Sequence, residues 1–262
     1  MTAAVRRVCL GVAGVLLAFG LAQFVLWAGD VDQAVFPLPS TVLGSAVDML
    51  RDGSFWTATI QTLTSWAEGL GIAVGFGVLV GLVLGTLPWA ESVVRPLVEF
   101  LRPIPSVILL PLVLLIIQES HETEVVLIVL AAAWPVLINT IYGIAEVDPL
   151  ATQTLRSFGF SPWAVAWRVS LPSAAPFIAT GVRIAASVAF VVAVAVELIG
   201  SGMDGLGSYL IQEQSGTAGV VPLLAVAALS GLLGLLLNAV LTGADRRVFR
   251  WHHLRTAAAD AI

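Results

Sequence analysis

Two ionisable side chains, Arg183 and Glu197, stand inside one long apolar run of this 262-residue chain and are its first candidates for chemistry. A charge surrounded by hydrocarbon is costly unless it is paired or reaches water, so such residues mark solute paths, ion sites or structural pairs. The two lie 14 positions apart. That is about 21 Å along a helix rising 1.5 Å per residue, so they cannot pair within one straight helix. Arg183 reads either as a guanidinium snorkelling to the nearer interface or as a group lining a path. Glu197, near the other end of the run, reads as a determinant of a path's mouth or as a solvated interfacial carboxylate. Asn139 adds a polar group in the preceding run, where an interhelical hydrogen bond is the ordinary role.

Other chemistries lack their parts. Gly200-Ser201-Gly202 invites the reading of an intramembrane serine protease. A serine nucleophile needs a base within hydrogen-bond reach, and His121, His252 and His253 all lie outside the apolar runs. Cys9 is the single cysteine, which rules out an intrachain disulfide or a cysteine-based metal site. There is no lysine, and no G-x-x-x-x-G-K-[ST] stretch, so the chain has no P-loop with which to use ATP. A secondary transporter or channel would be expected to show internal repeats and membrane-embedded ion sites, and neither is apparent.

The elements that must position these residues are membrane spans. Hydrophobic residues make up 58% of the chain and charged ones 11%, with mean hydropathy +0.99, against about 25% charged in soluble domains. A span needs about 20 apolar residues, and six runs qualify, near 8–28, 57–86, 95–117, 124–143, 174–198 and 219–243. In the second, Gly77, Gly81 and Gly85 share one helical face, which lets another backbone approach closely. Pro103, Pro105 and Pro111 predict a bend or break at the start of the third, and irregular backbone there can border a water-filled path. Residues 1–28 have the arginines and apolar core of a secretory signal, but the run continues through Trp27 and is long for one.

Arginine sets the orientation. Arg6, Arg7, Arg95, Arg102, Arg156, Arg168, Arg246, Arg247, Arg250 and Arg255 fall in or beside one set of loops. The opposite loops hold Arg51 among Asp30, Asp32, Asp48, Asp52, Glu119, Glu122 and Glu124. The positive-inside bias places both termini and the 144–172 loop in the cytoplasm. Within that loop, residues 146–172 predict two short helices around a tight corner. Asp148-Pro149 supplies an N-cap and an N1 proline, Gly159 a left-handed stop, and Ser161-Pro162 a second start. The second helix should end before Pro172. Leu155, Phe158, Phe160, Trp163 and Trp167 place bulky apolar groups on and beside the corner.

This segment resembles the cytoplasmic loop of bacterial ATP-binding-cassette importer permeases, E-A-A-x3-G-x9-I-x-L-P. Gly159, Val169, Leu171 and Pro172 fall at its spacing, while Gln153, Thr154 and Leu155 replace its E-A-A. Pro39-Ser40, Thr62-Leu63, Gly69, Arg102-Pro103-Ile104-Pro105, Leu110-Pro111, Pro176, Thr180-Gly181-Val182-Arg183, Glu197 and Gly205-Leu206-Gly207 follow in the order of the nitrate, sulfonate and taurine branch, over roughly residues 37–255.

The resemblance implies an all-α, six-span, type I importer permease: a single domain over 1–262, with a core at 57–245 and a coupling loop at 146–172. Leu155, Arg156, Phe158, Gly159, Phe160, Ser161, Pro162 and Trp163 would contact a dimeric ATPase that binds ATP and Mg, this chain itself holding no cofactor. Pro105, Asn139, Arg183 and Glu197 would line or gate the path. Gly205, Gly207 and Tyr209 would lie where an extracytoplasmic solute-binding protein docks. A second copy of the permease and membrane lipid complete the expected partners, with no nucleic acid. The location would be the bacterial inner membrane, and the solute a small anion or a thiamine-precursor-like molecule.

Overall fold

The computed structural model of the chain describes residues 3–29, 31–33, 35–200, 202–214 and 219–248. Arg250, Arg255, His252, His253, Asp30 and Ser201 lie outside them. The described residues form helices only: α1 (Ala3–Ala28), α2 (Pro39–Met49), α3 (Gly53–Thr86), α4 (Pro88–Leu101), α5 (Leu110–Ile116), α6 (Ser120–Ala145), α7 (Pro149–Ser157), α8 (Pro162–Val165), α9 (Leu171–Ile199), α10 (Leu206–Gln214) and α11 (Val220–Val248).

The core is a packet of α3, α6 and α9. Between helices already in lipid there is little hydrophobic gain left, so close contact through small residues must hold them together. Gly77, Gly81 and Gly85 of α3 lie against Val136, Thr140 and Ile144 of α6, where an added Cβ would come within 2.8, 2.6 and 2.8 Å. The constant offset between these pairs makes α3 and α6 parallel neighbours. α9 runs antiparallel to α6: Gly143 meets Ala174 and Phe177 at one end, and Gly181 meets Pro135 and Asn139 further along. Ala185, Ala186, Ala189 and Ala193 bury its small-residue face, and the Trp66 indole N–H donates to the Ala186 carbonyl at 2.9 Å. A second cluster joins α2, α3, α10 and α11 through Met49, Phe55, Leu206, Tyr209 and Val226. α1 is tied to α2 through Gln23, whose amide bonds Ser40, while large apolar side chains such as Leu17 and Trp27 are 70% exposed, as suits a helix facing lipid.

One expectation from the sequence holds and one is corrected. Among the described residues five helical segments are long and apolar enough to cross a membrane, six when the bent pair counts as one span, and the third predicted run is broken near its start as its prolines predict. Its halves, Ser92–Leu101 and Ser106–Ile116, meet at 79°. Pro103 and Pro105 cannot donate to the preceding turn, and Pro105 is extended at φ −63°, ψ 117°. The correction concerns Pro172. The helix does not stop before it but runs on, Pro162–Ile199, for 38 residues. Residues Ala166–Ser170 widen into a π-turn, a local change of register that accommodates the N–H missing at Pro172.

Candidate functional site

The corner between α7 and α8 is built by local chemistry. The Asp148 carboxylate accepts from Leu150 N at 2.8 Å, and Pro149 follows at the helix start. α7 ends in a Schellman arrangement. Phe160 N donates to Leu155 O at 3.2 Å, Gly159 N donates to Arg156 O at 2.9 Å, and Gly159 adopts φ +80°. Ser161 Oγ then accepts from Ala164 N at 3.3 Å to start α8. The Arg168 guanidinium lies 4.9 Å from the Phe160 ring centroid, a cation–π contact tying the corner to the π-turn. The eight corner residues singled out in the sequence, 155, 156 and 158–163, therefore come together on one short turn. Phe158 is 78% exposed and Trp163 65%. Large apolar side chains exposed together at a corner make it a candidate contact surface.

The four residues assigned to a path do not come together. Arg183 Nη2 donates to Asp245 Oδ2 of α11 at 3.1 Å, so this charge is paired across two helices. Asn139 bonds within its own helix, Nδ2 to Pro135 O at 2.8 Å, and not to a neighbour. Pro105 is exposed at the break.

Glu197 is 0% exposed, which overturns the solvated reading. Its Oε2 accepts from Gly207 N at 2.9 Å, in the first turn of α10, where an acceptor satisfies a donor that has no partner within the helix. Next to it, Leu206 N donates to the hydroxyl of Thr62 on α3 at 2.9 Å. Ser208 Oγ donates to the carbonyls of Glu197 and Met203. Gly205 has φ +139°, and a Cβ there would overlap the Glu197 carboxyl. Gly205, Gly207 and Tyr209 are all buried, so none offers a side-chain surface to a docking partner.

The sequence reading missed much of this outer polar site. Glu124, taken for a loop residue, is 3% exposed inside α6. Ser65 Oγ donates to its Oε2 at 2.9 Å, while its Oε1, like Oε1 of Glu197, is buried without a hydrogen-bond partner among the described residues. Ser65 also meets His121 at 3.2 Å, and His121 Nε2 lies 2.8 Å from Glu68 Oε2. Beside them opens a cavity of about 280 Å³ lined by Gln61, Ser65, His121, Glu124 and Asp204. Tyr209 extends the network to Asp52 at 3.3 Å. Burial and the nearby Glu213 charge push its phenol up to about 12, while Ser54 holds the Asp52 carboxyl below its usual range. One signal could have found Glu124: it is the first residue of the apolar run 124–143, as Glu197 sits near the end of another. Among the described residues no group of three or more His, Cys, Asp or Glu side chains is arranged to hold a metal ion.

Residues 73–250 match the family of binding-protein-dependent transport system inner membrane components. The chain belongs to this family. The permease is 32% identical over 203 residues to the bicarbonate transport system permease protein CmpB of Synechococcus elongatus, covering 77% of this chain and 72% of the relative. It is 30% identical over 237 residues to the taurine transport system permease protein TauC of Escherichia coli K12, covering 87% and 86%. Its fold matches a crystal structure of an amino acid ABC transporter with histidines, at TM-score 0.62 and 21% identity over 74% of this chain and 93% of that one. The inward-facing MetNI methionine ABC transporter matches at TM-score 0.54 and 22% identity, over 75% and 93%. The permease thus has the type I importer fold and falls in the branch that the motif order indicated.

Proposed function

We propose that the permease works as the membrane subunit of an ATP-driven importer, two copies enclosing the path of a small anion of the bicarbonate or sulfonate class. Both termini and the 146–172 loop face the cytoplasm, where a dimeric ATPase binds ATP and Mg and receives the corner at 155–163. An extracytoplasmic binding protein delivers the solute at the opposite side. The solute class is carried over from the relatives named for bicarbonate and taurine.

The observation that carries this reading is the unbroken helical run Pro162–Ile199. It begins at the exposed corner and ends two residues beyond Glu197, whose carboxyl holds the first turn of α10. A push at the corner therefore has one helical run, about 57 Å long at 1.5 Å per residue, through which to reach the outer polar site. The lack of lysine supports hydrolysis on a separate subunit.

The test is co-expression with a candidate ATPase and binding protein, followed by copurification and uptake of labelled bicarbonate and taurine into vesicles. Uptake that requires ATP hydrolysis and the binding protein supports the reading. Solute flux without an ATPase would replace it with a channel or secondary transporter.

A further inference from the structure

The C-terminal ends of α3 and α6 lie on the same side as the corner, and there α4 closes over a cavity of about 430 Å³ with walls of two kinds. Val94, Val98 and Ile141 form an apolar trough, while Arg95, Glu99, Arg102 and Tyr142 bring polar groups to it. Arg95 is held by Glu99 at 3.0 Å. Arg102 has no ion pair with any described residue. α4 itself is two-faced. Ala90, Val94 and Val98 pack with Leu84 and Leu137, while Trp89, Val93, Leu97 and Phe100 are 69%, 70%, 56% and 72% exposed on the far side. An apolar outer face with arginines at its flank is the pattern of a helix in contact with lipid near the interface.

We propose that this cavity binds one anionic phospholipid, with its phosphate on Arg102 and Tyr142 and an acyl chain along Val94, Val98 and Ile141. The unpaired guanidinium calls for an anion, and the trough calls for hydrocarbon. Inorganic phosphate satisfies only the first demand. A zwitterionic lipid brings its own cation beside Arg102, whereas an anionic headgroup does not. If the loop side is cytoplasmic, the facing leaflet is the one rich in anionic lipid. The site depends on the membrane setting and not on which solute is carried, so its failure would leave the proposed transport function untouched.

The test is native mass spectrometry of the full-length permease in detergent with phosphatidylglycerol or phosphatidylcholine of matched chains. The wild type should retain phosphatidylglycerol roughly fivefold better, the effect of one basic residue at an anionic lipid. Arg102→Gln should bring that preference close to unity, and Arg102→Lys, which keeps the charge, should preserve most of it. Val98→Trp should fill the trough and lower retention of both lipids. Millimolar inorganic phosphate should not displace the lipid. A preference surviving in Arg102→Gln, one lost in a well-folded Arg102→Lys, or displacement by phosphate would overturn the site. So would cysteine crosslinking that places a second permease copy against Val98 with lipid excluded.

Discussion

The corner at 155–163 and the polar site around Glu197 sit at opposite ends of one continuous helix and are built by opposite means. At the corner the hydrogen bonds that cap and turn the chain span at most five residues, Asp148 to Leu150, Phe160 to Leu155 and Ser161 to Ala164, and the Arg168–Phe160 contact spans eight. At the outer site the contacts join distant segments, Thr62 to Leu206 and Ser65 to Glu124. The corner exposes apolar side chains and buries little, whereas the outer site buries carboxyls and hydroxyls and exposes little. A surface made from local caps can be presented to a partner without disturbing the bundle. A buried polar network cannot be altered without disturbing it, because each group left unpaired in a low-dielectric interior carries its full desolvation cost.

The largest effect that would separate the two ends is expected at Gly205. Gly205→Val places a branched side chain where the Glu197 carboxyl now sits, at φ +139°. The strain and the displaced acceptor should together cost on the order of 3 kcal/mol. The thermal midpoint in detergent should fall by roughly 5–10 °C. A midpoint within a degree of wild type would mean that the outer site is looser than the buried contacts indicate.

Breaking the Arg183–Asp245 pair should be next. Arg183→Gln leaves Asp245 without its partner in a site where its side chain is only 14% exposed. A loss of about 2 kcal/mol is expected, with partial recovery in Arg183→Gln/Asp245→Asn. No coupling between the two substitutions in a double-mutant cycle would count against the pair.

The corner should respond more gently in stability and more sharply in coupling. Nothing lies within 4 Å of a Cβ built on Gly159, so only its φ of +80° restricts it. Gly159→Val should cost about 1–2 kcal/mol locally, and Gly159→Asn much less, since asparagine tolerates the left-handed region. The valine variant should insert normally yet retain less of a partner ATPase and uncouple hydrolysis from uptake. Equal behaviour of the valine and asparagine variants would remove the left-handed turn from the explanation. Phe158→Ala should act in the same direction through loss of an apolar anchor.

The smallest perturbation tests sidedness. In a Cys9→Ser background, single cysteines at the exposed positions Ser161 and Gln212 should label from opposite faces of the membrane. Ser208 is a poorer probe, because its hydroxyl is engaged by two carbonyls. Labelling of both positions from one face would invalidate the assigned orientation.

The sequence alone determined what depends on short range and on composition: an all-helical membrane protein, the caps and the left-handed stop of the corner, and the break at Pro103 and Pro105. Each follows from a residue's own conformational limits or from hydrogen bonds closed within a turn. The glycine face of α3 was legible too, but not its partner. Only the tertiary structure decided that α6 fills it in parallel register, that Asp245 neutralises Arg183 across 62 positions of chain, and that Glu197 and Glu124 turn inward on α10 and Ser65. The physical reason is that a carboxylate near a span's end looks the same in sequence whether water or a backbone N–H satisfies it. Which of the two it meets depends on where another helix lies. Pro172 shows the same limit at shorter range, since a single π-turn let the chain continue where proline ordinarily ends a helix.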